Sequence, residues 1–409
     1  METEASRLKE IIRLDTELST VQDLDILLER ILTEARKITN SDAGTIYIKR
    51  GDNLVFSYAQ NATQQKKLPP GQKLIYSTFT VKINTKSISG YVAAKGKALN
   101  IPDMYKIPKD SPYQFDSSYD KVSQYKTTST LTAPLKTNMG EIVGVLQIIN
   151  KQDSDEKVIP FDSEDEVVVQ HFASTATMAL QRAQLTRALI LRMIQMAELR
   201  DPKETGPHVN RVAAFATEIY ERWASRRSIP SEVINKNRDV LRSAAMLHDV
   251  GKVGISDVIL KKPGRFTDEE REIMKAHTYI GARLFVNPQS EFDEIASIAA
   301  LTHHENWDGT GYPGVVEIAT GEPVLKGRWR KPAVLKGEDI PIYGRVVAIA
   351  DVYDALMSKR VYKEAWDTDE VYAELRKMSG QKFDPEIVDV FFSCSKLIKA
   401  IYNRYPDPD

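Results

Sequence analysis

One cysteine in 409 residues, Cys394, leaves no internal disulfide framework to build and suits a reducing cytoplasm. It sits in an apolar C-terminal stretch, where packing is its expected role. Net charge is missing as well: 56 basic side chains stand against 57 acidic ones, for a formal charge of −1. Without an excess of either sign there is no bulk field for wrapping a nucleic-acid polymer or coating an anionic membrane. No apolar run approaches the roughly 18 residues of a membrane span. The first residues, Met1-Glu-Thr-Glu-Ala-Ser-Arg7, lack the basic and apolar regions of a secretory leader. The expectation is a cytoplasmic protein that engages neither a membrane nor a nucleic-acid polymer. Internal repeats and low-complexity tracts are absent. Histidine is scarce and unevenly placed: of the 6, only His171 precedes residue 200.

The length fits two domains plus connectors. Residues 6–37 carry Leu8, Ile11, Ile12, Leu18, Leu24, Leu27, Leu28 and Ile31 at helical spacing, and Ser19-Thr20 reads as the N-cap of a second helix. Residues 1–19 are assigned as an N-terminal helix. The period then becomes two: residues 44–49 and 53–59, with Gly51-Asp52 between them, predict a hairpin. Residues 88–95 predict a short helix ending at Gly96 and 102–128 a long loop. Residues 129–135 and 140–150 predict two further strands around Asn138-Met139-Gly140. That order is the order of an α+β domain with one antiparallel sheet, assigned to residues 20–162. The run from Gly90 to Asp103, the strand pair 129–149, and Asn150-Lys151 followed by Phe161-Asp162 give this segment a resemblance to GAF domains, a family of small-ligand sensors. The resemblance implies an unknown small ligand or partner at this domain. The insertion between Asn150-Lys151 and Phe161-Asp162 departs from the cyclic-nucleotide-binding members, so these four are expected to be strand-end and turn residues.

From Ser163 to Arg200 one long helix is predicted, with a 4-3 seam through Phe172, Ala176, Ala179, Ala183, Thr186, Ile190, Met193 and Ala197. Such a seam suits a parallel coiled coil between two copies, so a homodimer through residues 163–200 is expected; the competing reading is a helix packed on its own domain. Residues 201–409 are assigned as an all-α domain. Pro207 marks the start of a helix that carries His208 in its first turn and leaves Glu204 in the preceding loop. Residues 239–247 form an apolar helix running into His248-Asp249. Thr267 and Glu270 have the spacing of a capping box ahead of His277. An apolar helix over residues 345–356 contains Asp351 and Asp354.

Glu204, His208, His248, Asp249, His277, His303, His304 and Asp351 each stand at or near the end of an apolar helical stretch. A lone histidine on such a helix is ordinarily a core residue, but five in one domain ask for a shared explanation. Imidazole and carboxylate without thiolate suit iron or manganese, with zinc an open alternative and calcium or magnesium disfavoured by the nitrogen count. Adjacent helical residues point about 100° apart. His303 and His304 are therefore expected to reach two neighbouring cations rather than share one.

Residues 195–400 resemble the HD-GYP family, metal-dependent phosphodiesterases of cyclic di-GMP. The resemblance rests on Arg200-Asp201-Pro202, Thr205, His208, Arg211-Val212, His248-Asp249-Val-Gly-Lys252 and the run from Val258 to Gly264. It continues through His277, Gly281, His303-His304-Glu305, Asp308-Gly309, Gly311-Tyr312-Pro313, Asp351, Asp354-Ala-Leu356, Gly380 and Phe383-Asp384-Pro385. It implies two or three divalent transition metals, iron first and manganese second, held by His208, His248, Asp249, His277, His303, His304 and Asp351. Glu204 matches the extra carboxylate of members holding three. It further implies cyclic di-GMP as substrate, pGpG as product with a second cut to GMP as an extension, and Lys252, Tyr312, Arg360 and Lys363 as dinucleotide contacts. Paired cations activate water and neutralise phosphoryl charge, so no protein nucleophile is required, and His248, Asp249 and Lys252 are the expected catalytic residues.

Two departures from the family stand out. An insertion at 315–335 carries Lys326, Arg328, Trp329, Arg330 and Lys331, a basic aromatic patch that reads as a lid, a docking surface or a surface loop. Ser256 and Val361 replace the usual prolines. The expected whole is a multidomain protein: a GAF-like sensor, a long connecting helix and an all-α HD-type domain. Two rival functions remain open, a non-catalytic receptor for cyclic di-GMP or a signalling partner, and a nucleotidase of the HD type.

Overall fold

Two units, Met1–Leu185 and Thr186–Asp409, divide the chain, and the division falls inside a helix. The computed structural model describes residues 23–69, 79–198, 206–326, 331–358 and 367–406, with isolated positions before residue 22 and residues 73–74. The N-terminal helix expected over residues 1–19 falls largely outside the described residues, as do Arg200, Asp201, Pro202, Glu204, Thr205, Arg328, Trp329, Arg330, Arg360, Val361 and Lys363.

In the first unit, α1 (Leu24–Ile38) begins where the Asp23 carboxylate accepts from the amides of Asp25 and Ile26. A cap of that kind stabilises a helix start by about 1 kcal/mol. The hairpin β1 (Ser41–Arg50) and β2 (Asn53–Asn61) turns at Gly51, whose φ of 57° suits glycine. The added elements are β3 (Thr80–Lys82), α2 (Ile88–Lys95), β4 (Leu99–Ile101), β5 (Thr130–Lys136), β6 (Ile142–Gln152) and β7 (Val158–Ile159). The antiparallel sheet runs β3-β2-β1-β6-β5-β4, and β7 pairs with β6. Alternation along the strands splits the core in two. Ile46, Ile48, Leu131, Ala133, Leu135, Leu146 and Ile148 pack against α1, whereas Tyr47, Leu54, Phe56 and Val145 pack with Val92 and Ala93 of α2. Near the end of β6, Asn150 accepts from the amides of Thr128 and Ser129, and Lys151 pairs with Asp162 and Asp165, so these contacts fix the neighbouring connections.

The long helix α3 (Ser163–Glu198) corrects one expectation. Phe172, Ala176, Ala179 and Ala183 of the seam are buried in the first unit's own core, and Ile190 is buried in the second's. At these five positions the seam is filled from within the chain, whereas Met193 further along it is exposed. Met178, Leu185, Leu189 and Met196 are exposed instead, on a different stripe of the helix.

The second unit is helical. Its main helices are α4 (Gly206–Arg226), α5 (Ser231–Ala244), α6 (Asp268–Lys275), α7 (His277–Arg283), α8 (Glu291–Thr302), α9 (Ile342–Met357), α10 (Thr368–Lys377), α11 (Pro385–Ser393) and α12 (Ser395–Arg404). Their core gathers Val212, Phe215, Ile219, Leu241, Ala296, Ala299, Val347, Tyr353 and Phe391. Both arms of the capping box at Thr267 and Glu270 are formed. The insertion folds on itself, with Val315 donating to Ala333, Ala333 to Val324 and Val324 to Val315. A short hairpin, β8 (Leu325–Lys326) and β9 (Lys331–Pro332), sits at its tip. Arg283 Nε donates to the Ile318 carbonyl at 3.2 Å, fastening the insertion to α7. Among the described residues no helix is long and apolar enough to cross a membrane.

Candidate metal centre

Each candidate ligand arrives on its own element. His208 stands in the first turn of α4, His248 and Asp249 follow the apolar end of α5, His277 opens α7, His303 and His304 follow α8, and Asp351 lies within α9. Close approach is possible because Gly251 carries no side chain: a Cβ there would overlap the His277 carbonyl and the backbone of Gly281. The turn after Asp249 can therefore lie directly on α7.

The side chains converge in two groups. His208, His248 and Asp351 form one, and Asp249, His277, His303 and His304 form the other, with the donor atoms of each group within 4.8 Å of one another. Asp249 joins them. Its Oδ2 is 3.4 Å from His248 Nε2, and its Oδ1 is 3.2 Å from His277 Nε2 and 3.5 Å from His303 Nε2. His303 and His304 therefore sit in one group with ring centroids 4.1 Å apart, not in two. The 100° argument governs where the side chains leave the backbone and not where the rings end: His303, the C-cap of α8, keeps helical torsions, yet both rings reach the same group.

Whether these residues suit a cation is decided by where their protons go. His248 Nδ1 faces the Ala245 carbonyl at 2.9 Å, His277 Nδ1 the Met274 carbonyl at 2.6 Å, and His303 Nδ1 the Ala299 and Ala300 carbonyls at 3.0 Å. His208 Nδ1 lies 2.8 Å from Asp354 Oδ2. An acceptor at Nδ1 places the proton there and leaves the Nε2 lone pair directed at the other ligands. Asp249 Oδ1 is buried without a hydrogen-bond donor of acceptable geometry. A buried anionic oxygen facing imidazole lone pairs is costly unless a cation satisfies both. Burial, with the neighbouring His303 adding to it, holds His304 well below the usual imidazole range, and burial also lowers His303. For Asp249, burial pushes upward, but the charge of the bound Lys252 opposes it and keeps the carboxyl well below its ordinary range. Neutral imidazoles at His303 and His304 beside an ionised Asp249 are the protonation state a divalent cation requires.

Three supporting residues had no role from the sequence. Asp354 is fully buried, accepts from His208 and receives both Nε and Nη2 of the buried Arg211. Its spacing of three from Asp351 on one helix was the available signal, since such residues share a face. Glu305, buried, accepts the Gly314 amide at 2.6 Å and ties the Gly309–Pro313 loop down; burial raises its carboxyl to about 7, partly offset by that amide. Lys382 lies within electrostatic reach of Asp351 and His304.

The expected substrate contacts are placed unevenly. Lys252 Nζ is bound to Asp249 Oδ2 at 2.7 Å, so it neutralises a ligand. The Tyr312 ring is stacked on His304 at 4.8 Å with Lys275 Nζ 5.4 Å from its centroid. Asp308 is a turn former, accepting from the Thr310 amide and hydroxyl.

The comparisons with known proteins follow the same division. A GAF domain model matches residues 23–180, an HD domain model matches residues 205–356, and a second HD domain model matches 329–387. The chain carries a GAF domain followed by an HD domain. Its second half is 40% identical over 223 residues to a protein of Vibrio cholerae named cyclic di-GMP phosphodiesterase, covering 53% of this chain and 41% of that protein. A protein of the same name from Thermotoga maritima is 38% identical over 221 residues, covering 54% of this chain and 52% of its own length. A 3′3′-cGAMP-specific phosphodiesterase 2 of Vibrio cholerae is 34% identical over 222 residues, covering 54% and 37%. The chain spans about half the length, or less, of these curated relatives. Thus the GAF sheet and the helical HD domain correspond to the two units, and all the candidate metal ligands lie in or beside the HD domain.

Proposed function

We propose that the HD domain is a metal-dependent phosphodiesterase that opens a cyclic dinucleotide, cyclic di-GMP foremost, by hydrolysing a 3′ phosphodiester to linear pGpG. The observation that carries this reading is the joined pair of ligand groups, with Asp249 facing both and a donor set of imidazole and carboxylate alone. That donor set favours Fe(II), with Mn(II) next. His208, His248 and Asp351 would hold one cation and His277, His303 and His304 another, with Asp249 between them. When bound, such cations supply an activated water and offset the charge that builds on the phosphoryl oxygens.

The protein's own groups do the positioning. Lys252 holds the Asp249 carboxylate in place. Arg211 and Asp354 fix the ring of His208. The Tyr312 phenol is kept protonated by burial and then by the charge of Asp249, which leaves its O–H able to donate to a phosphate oxygen. The relatives carry names for both cyclic di-GMP and 3′3′-cGAMP, so the mixed dinucleotide is the second substrate to test. The GAF domain is read as the regulator, taking a small ligand or partner.

The test is incubation of anaerobically purified full-length chain with Fe(II) or Mn(II) and cyclic di-GMP, 3′3′-cGAMP or a guanosine mononucleotide. Appearance of pGpG only with metal is expected. Cyclic di-GMP that binds yet survives every metal condition would leave a receptor, and release of phosphate from the mononucleotide would point to a nucleotidase.

A further inference from the structure

Among the cationic side chains near the ligand groups, most are already engaged. Lys252 is on Asp249, Arg211 on Asp354, Arg345 on Asp384 at 2.6 Å, and Lys275 lies over the Tyr312 ring. Lys382 differs. It is partly buried, and among the described residues no acceptor lies within hydrogen-bond reach of its ammonium.

Its position is held from several sides. The Lys382 carbonyl accepts the Trp307 amide at 3.1 Å, and the neighbouring Gln381 carbonyl accepts the Asp308 amide at 2.9 Å. The turn is closed by Gly380 donating to the Phe383 carbonyl at 2.8 Å, and Phe383 itself is buried. Asp384 then caps α11 and takes the Arg345 guanidinium. The backbone of Lys382 is thus fastened to the loop that continues from His303 and His304. Its charge faces Asp351 of one ligand group and His304 of the other.

A partly buried lysine charge gains from an anionic partner. Asp351 offers attraction without a hydrogen bond, and cations in the two groups would repel the ammonium. An anion drawn to those cations would satisfy it, and a compact, rotatable ammonium suits a phosphoryl oxygen. We infer that Lys382 is a substrate-contact residue that binds a non-bridging phosphoryl oxygen beside the metal ligands. This rests on the phosphodiesterase reading for the identity of the substrate, though not for the class of anion.

The experiment uses the full-length metal-loaded chain as wild type, Lys382→Met and Lys382→Arg. Inorganic phosphate binding is measured by calorimetry, metal content by elemental analysis, melting by fluorescence, and kcat and KM on cyclic di-GMP. Lys382→Met is expected to bind phosphate at least tenfold more weakly and to lower kcat/KM roughly ten- to hundredfold, the range of a lost phosphoryl-stabilising cation. Its metal content should be unchanged and its melting no lower than wild type, because a poorly partnered charge has been removed. Lys382→Arg should recover part of the phosphate affinity. If the methionine chain fails to fold, the arginine chain decides: an altered phosphate affinity at constant metal content supports the assignment and an unaltered one overturns it. Wild-type protein that takes up no phosphate overturns it, as does a fall in metal content in Lys382→Met, which would make the lysine a structural partner of Asp351. Phosphate bound through Lys382 while cyclic di-GMP stays intact defeats the phosphodiesterase reading and leaves the lysine assignment standing. Equal hydrolysis by wild type and Lys382→Met defeats the lysine assignment alone.

Discussion

Asp249 presents one oxygen to His248 and Lys252 and the other to His277 and His303, so its removal differs in kind from removal of a histidine. Asp249→Ala should empty both ligand groups, whereas His208→Ala should empty only the group shared with His248 and Asp351. Elemental analysis of the purified chains checks this, and equal losses in the two variants would refute the two-group arrangement. Asp354 is buried against Arg211, with side-chain exposures of 0% and 1%. Asp354→Ala leaves that guanidinium without its carboxylate, which should destabilise the HD domain by about 3–5 kcal/mol. By freeing the His208 ring it should also weaken metal binding about 10- to 100-fold. Denaturant titration and metal-competition titration read the two effects separately, and a variant as stable as wild type would show the pair to be dispensable. The histidines were legible in the sequence because they are few and fall at the ends of apolar helices. Asp354 was legible only as a residue sharing a face with Asp351, and Lys382 not at all, since composition and spacing do not tell which aspartate takes a buried guanidinium or which lysine lies beside the ligands. Glu204, Arg360 and Lys363 lie outside the described residues, so a third metal and two of the substrate contacts stay as proposals of the sequence.

At the level of elements, the strand pairs, the helix stopped at Gly96 and the capping box at Thr267 could be read from period and punctuation alone, because local chemistry decides them. Two readings failed where tertiary context decides. His303 keeps helical torsions at the end of α8, yet its ring and that of His304 meet in one ligand group, because side-chain reach and not backbone direction decides where the rings lie. On α3 the alanines at 176, 179 and 183 are small enough to seat the helix against the first unit's own core, so the regular 4-3 seam faces inward. Periodicity locates an apolar stripe and is silent on what covers it. The homodimer expected through residues 163–200 would consequently use the other stripe, where Leu185 is 59% exposed, Leu189 50% and Met196 63%. Large apolar side chains in a row along a helix mark an association surface. A double substitution, Leu189→Glu with Met196→Glu, should convert a dimer to a monomer in sedimentation equilibrium without lowering the melting temperature. Monomeric wild-type protein would remove the idea altogether.

The chain is two units with separate cores, and among the described residues the candidate metal ligands all lie in the second, so metal should act on their stabilities unequally. A ligand that binds only the folded state stabilises it by about 2.7 kcal/mol when its free concentration is 100 times its dissociation constant. For a unit the size of Thr186–Asp409 this corresponds to roughly 5–10 °C in melting temperature per site. The first unit contains none of the described ligands and should not respond. The distribution of tryptophan makes the difference measurable, since all 4 residues, Trp223, Trp307, Trp329 and Trp366, belong to the second unit. Trp307 follows His303 and His304 closely, and its amide is bonded to Lys382. Stripping the metal with a chelator should therefore lower the transition seen by tryptophan fluorescence while a calorimetric scan retains a second transition, from the sheet-bearing unit, at its original temperature. Restoring Fe(II) or Mn(II) should return the fluorescence transition, and Asp249→Ala should melt like the stripped protein whatever metal is added. A chelator that shifts the calorimetric transition without the fluorescence one would place the metal outside the HD domain and overturn the ligand assignment at once.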